Sequence, residues 1–192
     1  MMRICALIVT ASVLLAGCVG LESYAPPDSA EFQDVYTLAA LEGTYANKGE
    51  SFWEHNPPYL SSVIWRDGKR LVHTTIEVVT VDAVGDSVLI VRGLAEGETL
   101  REGRFVRGRD FELRSGQLHL TPVQDWQSLE DFSVGNRTER VVFGLDERGR
   151  GKVQKSSKEA GLFLVVPYAG ASSTEYQFRR IDTKTYGTPQ PN

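Results

Sequence analysis

From Gly43 onward the apolar residues of this chain recur at every second position, in short runs separated by glycine-bearing turns. In residues 70–82, Thr74, Ile76, Val78 and Thr80 alternate with His73, Thr75, Glu77 and Val79. In 87–93, Val88 and Ile90 alternate with Leu89 and Val91, so both faces are apolar, and in 172–181 Tyr176 and Phe178 stand opposite Gln177 and Arg179. Successive side chains of a strand point to opposite faces, and β-branched and aromatic residues suit that pleated surface, so these runs predict strands. Asp67-Gly68, Gly85-Asp86, Glu96-Gly97, Gly108, Ser115-Gly116, 149–151 and Ala169-Gly170 supply turns between them, and Asp-Gly between two such runs is a hairpin signal. The pattern amounts to about eight to ten strands joined mainly by hairpins, and a sheet of that size must close or fold over to manage its edges. The expected fold is all-β: an antiparallel up-and-down barrel, or alternatively a β-sandwich, in a single domain spanning 32–182.

A chain of 192 residues that is 41% hydrophobic can bury one sizeable core. Its 25 acidic residues outnumber its 21 basic ones, for a formal charge of −4, which argues against a nucleic-acid-binding surface. Two cysteines are present, Cys5 and Cys18, both ahead of the strand pattern. The folded part therefore has no disulfide to rely on, and its stability comes from the core.

The first 17 residues have a separate logic. Arg3 precedes an apolar run over 4–16 that ends in small residues. The run is shorter than the roughly 20 residues of a comfortable membrane span, and its layout is that of a cleaved signal peptide. Its end, Leu14-Leu15-Ala16-Gly17-Cys18, resembles the lipobox of bacterial lipoproteins. That resemblance implies a diacylglyceryl group on the Cys18 thiol and cleavage between Gly17 and Cys18. Two or more acyl chains give stable membrane anchoring, since each buried methylene contributes about 0.8 kcal/mol. Val19 follows the cysteine. In the Gram-negative members of the family an Asp there retains the protein in the inner membrane, so its absence implies the outer membrane, on the periplasmic side; in another envelope the cell membrane would carry the anchor. Residues 18–31 then read as a lipidated tether and 183–192 as a flexible tail.

Asp28-Ser29-Ala30-Glu31 has the spacing of a capping box, and Phe32, Val35, Tyr36 and Ala39 share one helical face before Gly43. A short N-terminal helix is expected there. Two stretches interrupt the strand pattern. One is 50–62, with Phe52, Trp53 and Tyr59 beside Pro57-Pro58; the other is 121–138, where Trp126, Leu129 and Phe132 at a spacing of three suggest a short helix. Loops of this length carry function or pack as caps. A short helix, Gly43-Thr44-Tyr45 opening the first strand, a long aromatic loop and then hairpins resemble the layout of lipocalin-like small barrels. What this implies is a barrel with a binding mouth, although Tyr45 stands where that family's motif has Trp.

No catalytic, cofactor or metal site is expected. Gly85-Asp86-Ser87 resembles the nucleophile block of GDS-type esterases, but the run continues as a strand and no histidine follows His119. His55, His73 and His119 are not paired at metal-ligand spacings. Gly149-Arg150-Gly151-Lys152 lacks the first glycine of a phosphate-binding loop. Over 98–114 five arginines (Arg101, Arg104, Arg107, Arg109 and Arg114) are interleaved with four acids, the pattern of a solvated strand face. The aromatic residues Phe52, Trp53, Tyr59 and Trp126 remain as the candidate ligand or partner surface. In one reading they cap a cavity. In the other, favoured by Trp53 preceding the charged Glu54 and His55, the Trp53 indole turns inward and plugs the barrel. The expected function is a non-enzymatic, lipid-anchored binding module for a small apolar ligand or an envelope protein. The alternative is an immunity or inhibitor lipoprotein that blocks an envelope-acting enzyme, whose mark would be a protruding element in place of an interior cavity.

Overall fold

The computed structural model of the chain describes residues 21–53, 57–66, 73–129, 133–163 and 166–181. Its strands are β1 (Leu21–Tyr24), β2 (Phe32–Gln33), β3 (Gly43–Ala46), β4 (Val78–Val84), β5 (Val88–Ala95), β6 (Glu98–Val106), β7 (Phe111–Arg114), β8 (Gln117–Leu120), β9 (Val123–Leu129), β10 (Ser133–Asp146), β11 (Gly151–Phe163), β12 (Val166–Phe178) and β13 (Arg180–Ile181). One α-helix, α1 (Leu60–Ile64), and 3-10 turns at Leu38–Leu41 and His73–Thr75 complete the described elements.

The expectation of an all-β chain holds, and the strands form two sheets. One runs β13-β3-β4-β5-β6; the other runs β1-β12-β11-β10-β8-β7, with β2 and β9 also paired to β10. The chain passes from one sheet to the other three times: between β2 and β3, and at two corners, between β6 and β7 and between β12 and β13. Beside the second corner, Glu50 and Gln177 exchange both backbone hydrogen bonds, at 2.8 and 3.1 Å. At the first, the chain turns through Gly108 at φ 85°, and the Asp110 carboxylate accepts the Val106 N–H at 2.8 Å. A side chain thus takes a donor that a ladder would otherwise use. Among the described residues the arrangement is that of a two-sheet sandwich, and strand pairing does not close it into a barrel.

Alternation decides which faces meet. Tyr45, Val79, Val81, Leu89 and Val91 of the first sheet face Val141, Phe143, Leu145, Val153 and Phe178 of the second, with Leu38, Leu41 and Leu60 closing the core. On the outer face of the first sheet, Arg92 pairs with Asp82 and Glu102, as a solvated strand face should. The packing leaves an apolar space of only about 40 Å³ between the sheets, bounded by α1, Leu89, Phe111, Leu118 and Phe143.

Four expectations need correction. The N-terminal helix is absent: Phe32 and Gln33 are extended and pair with Asp146 and Leu145, Val35 N–H bonds Gly116 O at 2.8 Å, and only Leu38–Leu41 forms a 3-10 turn. Phe32 and Val35 are apolar because they serve different strands, not one helical face. The described residues of the stretch 121–138 are not helical either. β9 pairs with β10 from Leu129↔Ser133 to Val123↔Glu139, filling an edge that β8, paired with β10 only at Val142 and Phe143, leaves open. Ala169-Gly170 is no turn but lies inside β12. The tether expected over 18–31 is largely docked: β1 pairs with β12, and Asp28 forms ion pairs with Arg148 and Arg150 at 2.9 and 2.8 Å.

β10, β11 and β12 are 14, 13 and 13 residues long, and their core residues all come from the half nearest Phe178. Farther out, on the face continuous with the core, ion pairs replace apolar side chains: Lys155–Glu139 at 2.8 Å, then Arg137–Glu159 at 3.3 Å. With β9 alongside, these outer halves form a sheet that extends past the core.

Candidate functional site

The aromatic loop begins where β3 ends. Asn47 is fully buried; its Nδ2 donates to His73 O and Ile76 O, both at 2.8 Å, and its Oδ1 accepts the Ser61 N–H at 2.8 Å. This one amide ties together the start of the loop, α1 and the segment entering β4. The loop base is closed by Gly49 N–H to Pro58 O and Leu60 N–H to Asn47 O, both at 2.8 Å. A side chain at Gly49 would place its Cβ 2.4 Å from Phe178 Cε1, so the close approach of loop and β12 requires glycine.

Above this base the aromatics face outward. Phe52 is 53% exposed and Trp53 is 47% exposed, so the expected inward plug is not what Trp53 forms. Its ring instead packs on Tyr24 of β1, with centroids 4.6 Å apart, and edge-on to Phe52 at 5.6 Å. Tyr24 donates its hydroxyl to Glu22 Oε2 at 2.7 Å, and that hydrogen bond to a carboxylate raises the phenol above its ordinary value. Trp53, Pro57, Pro58 and Tyr59 form one wall of an open cleft of about 340 Å³, and Glu139, Lys155 and Tyr176 from three adjacent strands form its floor. The Lys155–Glu139 ion pair lies within it. Burial, seconded by the Glu139 charge, pushes the Tyr176 phenol up, so it stays a neutral donor.

No protein-family model, no curated protein and no solved structure matches this chain. The cleft must therefore be read from its own chemistry. It combines flat aromatic and proline surface with a fixed pair of opposite charges, which suits a peptide-like surface offering both apolar and polar groups. The space between the sheets, by contrast, is smaller than one drug-sized or lipid-sized ligand by roughly tenfold.

Of the residues expected at the site, Phe52, Trp53 and Tyr59 come together. Trp126 belongs to another element, paired with Asn136 in the β9–β10 ladder. Cys18 and His55 lie outside the described residues. Sequence reasoning missed Tyr24, Asn47, Glu139, Lys155 and Tyr176. The last three lie on the same face of adjacent strands, a pattern visible only once the register is known. Asn47, in Ala46-Asn47-Lys48-Gly49, carries the marks of a turn residue and nothing that announces a buried anchor.

Ser61 Oγ lies 3.0 Å from His73 Nδ1, but Ser61 is fully buried on the inner side of α1, where no substrate reaches its hydroxyl. The pair braces the loop. Among the described residues, no group of three or more His, Cys, Asp or Glu side chains is arranged to hold a metal ion. His119 sits in β8 at a separate cleft with Glu112 and Arg140. Among the described residues no helix is long and apolar enough to cross a membrane.

Proposed function

We propose that this chain is a lipid-anchored lipoprotein of the cell envelope, held by Cys18 and facing the periplasm from the outer membrane, that binds an envelope protein through the cleft beneath Trp53 and Tyr59. The role is binding, not catalysis. One observation carries the choice of partner: among the described residues the apolar space between the sheets is about 40 Å³, whereas the exposed aromatics gather around an external cleft of about 340 Å³. An apolar ligand enclosed by the protein needs a cavity of about 300 Å³ or more. The architecture we propose is a flattened barrel of the lipocalin-like kind, supported by the two corners where the chain changes sheets and by the Glu50–Gln177 bonds beside one of them.

Inhibition of an envelope-acting enzyme is the second reading. It is favoured by the outward extension of β9–β12, a protruding element without an interior cavity.

The test compares the detergent-extracted protein with its Trp53→Ala variant, using mass spectrometry of what co-purifies. A stoichiometric protein present with the native chain and lost from the variant is expected. A bound lipid retained by both would defeat the proposal. Because Trp53 is half exposed, the substitution should cost only about 1–2 kcal/mol in thermal denaturation, below the 3–5 kcal/mol typical of a buried aromatic.

A further inference from the structure

We infer that the far end of the second sheet, where β11 ends and β12 begins, rests on the lipid bilayer. The inference depends on the lipid anchor proposed for Cys18 and goes on to orient the molecule on it. β1 runs parallel to β12, with Leu21 opposite Ala171 and Tyr24 opposite Thr174. β12 itself runs from Val166, at the far end, to Phe178, buried in the core. The chain therefore enters β1 from the side of the far end.

Cys18 precedes Leu21 by three residues, which span at most about 10 Å. The lipid thus keeps Leu21 within about that distance of the bilayer surface. The five strand residues from Ala171 back to Val166 project about 17 Å toward the same side. The end of the sheet therefore reaches the bilayer at least as readily as the anchor does, and a tilt of the sheet lays it along the interface.

The residues at that end suit such a surface. β11 finishes on Leu162-Phe163 and β12 opens on Val166-Pro167-Tyr168. Leu162 is 50% exposed and Pro167 is exposed, and the Tyr168 hydroxyl lies over Gly135. A half-buried tyrosine beside exposed apolar neighbours matches the headgroup layer. One exposed leucine requires no explanation; its position beside the anchored end of the chain is what selects lipid as the occupant. The opposite end of the molecule supplies a control. β13 continues away from Val166, β3 runs back alongside it, and β4 pairs Val81 with Gly43 before continuing to Val84, which is 57% exposed.

The experiment uses the full chain, lipidated in its host and reconstituted into phosphatidylethanolamine–phosphatidylglycerol vesicles. L162C, P167C and, as control, V84C each carry an environment-sensitive fluorophore on the new thiol, Cys18 being blocked by lipid. The expected result is blue-shifted emission from the L162C and P167C proteins, quenched several-fold by nitroxide lipids, and water-like emission from the V84C protein. Lipidated, vesicle-bound protein whose three labels all report water would overturn the contact and leave the anchor standing. A mass for Cys18 without acyl chains would overturn the anchor, and the contact with it.

Discussion

Asn47 shows how much of the candidate site hangs on one side chain. Its amide donates to two main-chain carbonyls and accepts one main-chain N–H, and a buried polar group that loses its partner costs about 1–3 kcal/mol. Asn47→Ala is expected to destabilise the protein by about 3 kcal/mol and to loosen the loop before the sheets unfold, so that amides of 48–53 exchange faster than those of β11. Uniform exchange across both would contradict this assignment. Tyr45 makes a second test. Its hydroxyl donates to Leu41 O at 2.8 Å within the core, and burial pushes its pKa from 10.0 to about 12, partly opposed by Arg180. Below pH 10 both folded and unfolded chains keep the proton. Between the two values the unfolded chain releases it while the folded chain does not, so the tyrosine's contribution to stability is lost as pH rises, by about 3 kcal/mol in all. Urea titrations should show this alkaline decline in the native chain and a clearly smaller one in Tyr45→Phe, where the raised Tyr176 phenol still contributes. The two residues differ in legibility. Tyr45 lies in an alternating run and its burial follows from the pattern, whereas nothing local distinguishes a buried asparagine from one in a turn.

The segment from Tyr24 to Val35 is a strap along the second sheet that turns once at Pro26–Ser29, and charge holds it there. Lys152, 2% exposed, donates to Ala30 O at 2.7 Å and pairs with Glu175 at 2.9 Å beneath the Phe32 ring. Asp28 accepts from Arg150 and Arg148, and the Arg150 hydrogen bond holds its carboxyl below the usual carboxylate range. The contribution of that pairing is present above the ordinary carboxylate value and is lost as pH falls through the lowered one. Hydrogen exchange of residues 29–35 should therefore accelerate in Asp28→Asn at neutral pH, and in the native chain only in acid. Equal rates in native and variant proteins would mean that the clamp is idle. Sequence alone read this strap as a tether and a helix because its apolar residues fall at helical spacing. The outcome turned on partners more than 80 residues away along the chain, in the β7–β8 turn and on β10, which local propensity does not see. The same holds for β9: the free edge of β10 converts a helix-like spacing of aromatics into a strand. Hairpin turns, by contrast, were legible, since the β4–β5, β5–β6 and β7–β8 connections each need the positive φ found at Gly85, Gly97 and Gly116.

Across the whole protein, the proposed anchor and the fold are expected to be separable. Cys18→Ser removes the thiolate proposed to take the lipid, so an unlipidated, incompletely processed precursor with an unchanged β-type circular dichroism spectrum is expected. Normal lipid labelling and membrane retention of that variant would refute lipid anchoring. The lipobox-like run before Cys18, the all-β class and the lack of any cysteine after residue 18 are local or compositional properties, and they can be read from the order of residues because each depends on composition or on neighbours a few positions apart. Whether the strands close or stack, how little space they leave, and which charges floor the aromatic cleft depend on register between strands far apart in the chain. A shift of one residue reverses every face. The placement of Glu139, Lys155 and Tyr176 beneath Trp53 is thus a property of β10, β11 and β12 in their mutual alignment, and the long-range packing that sets that alignment leaves no periodic mark on any one segment.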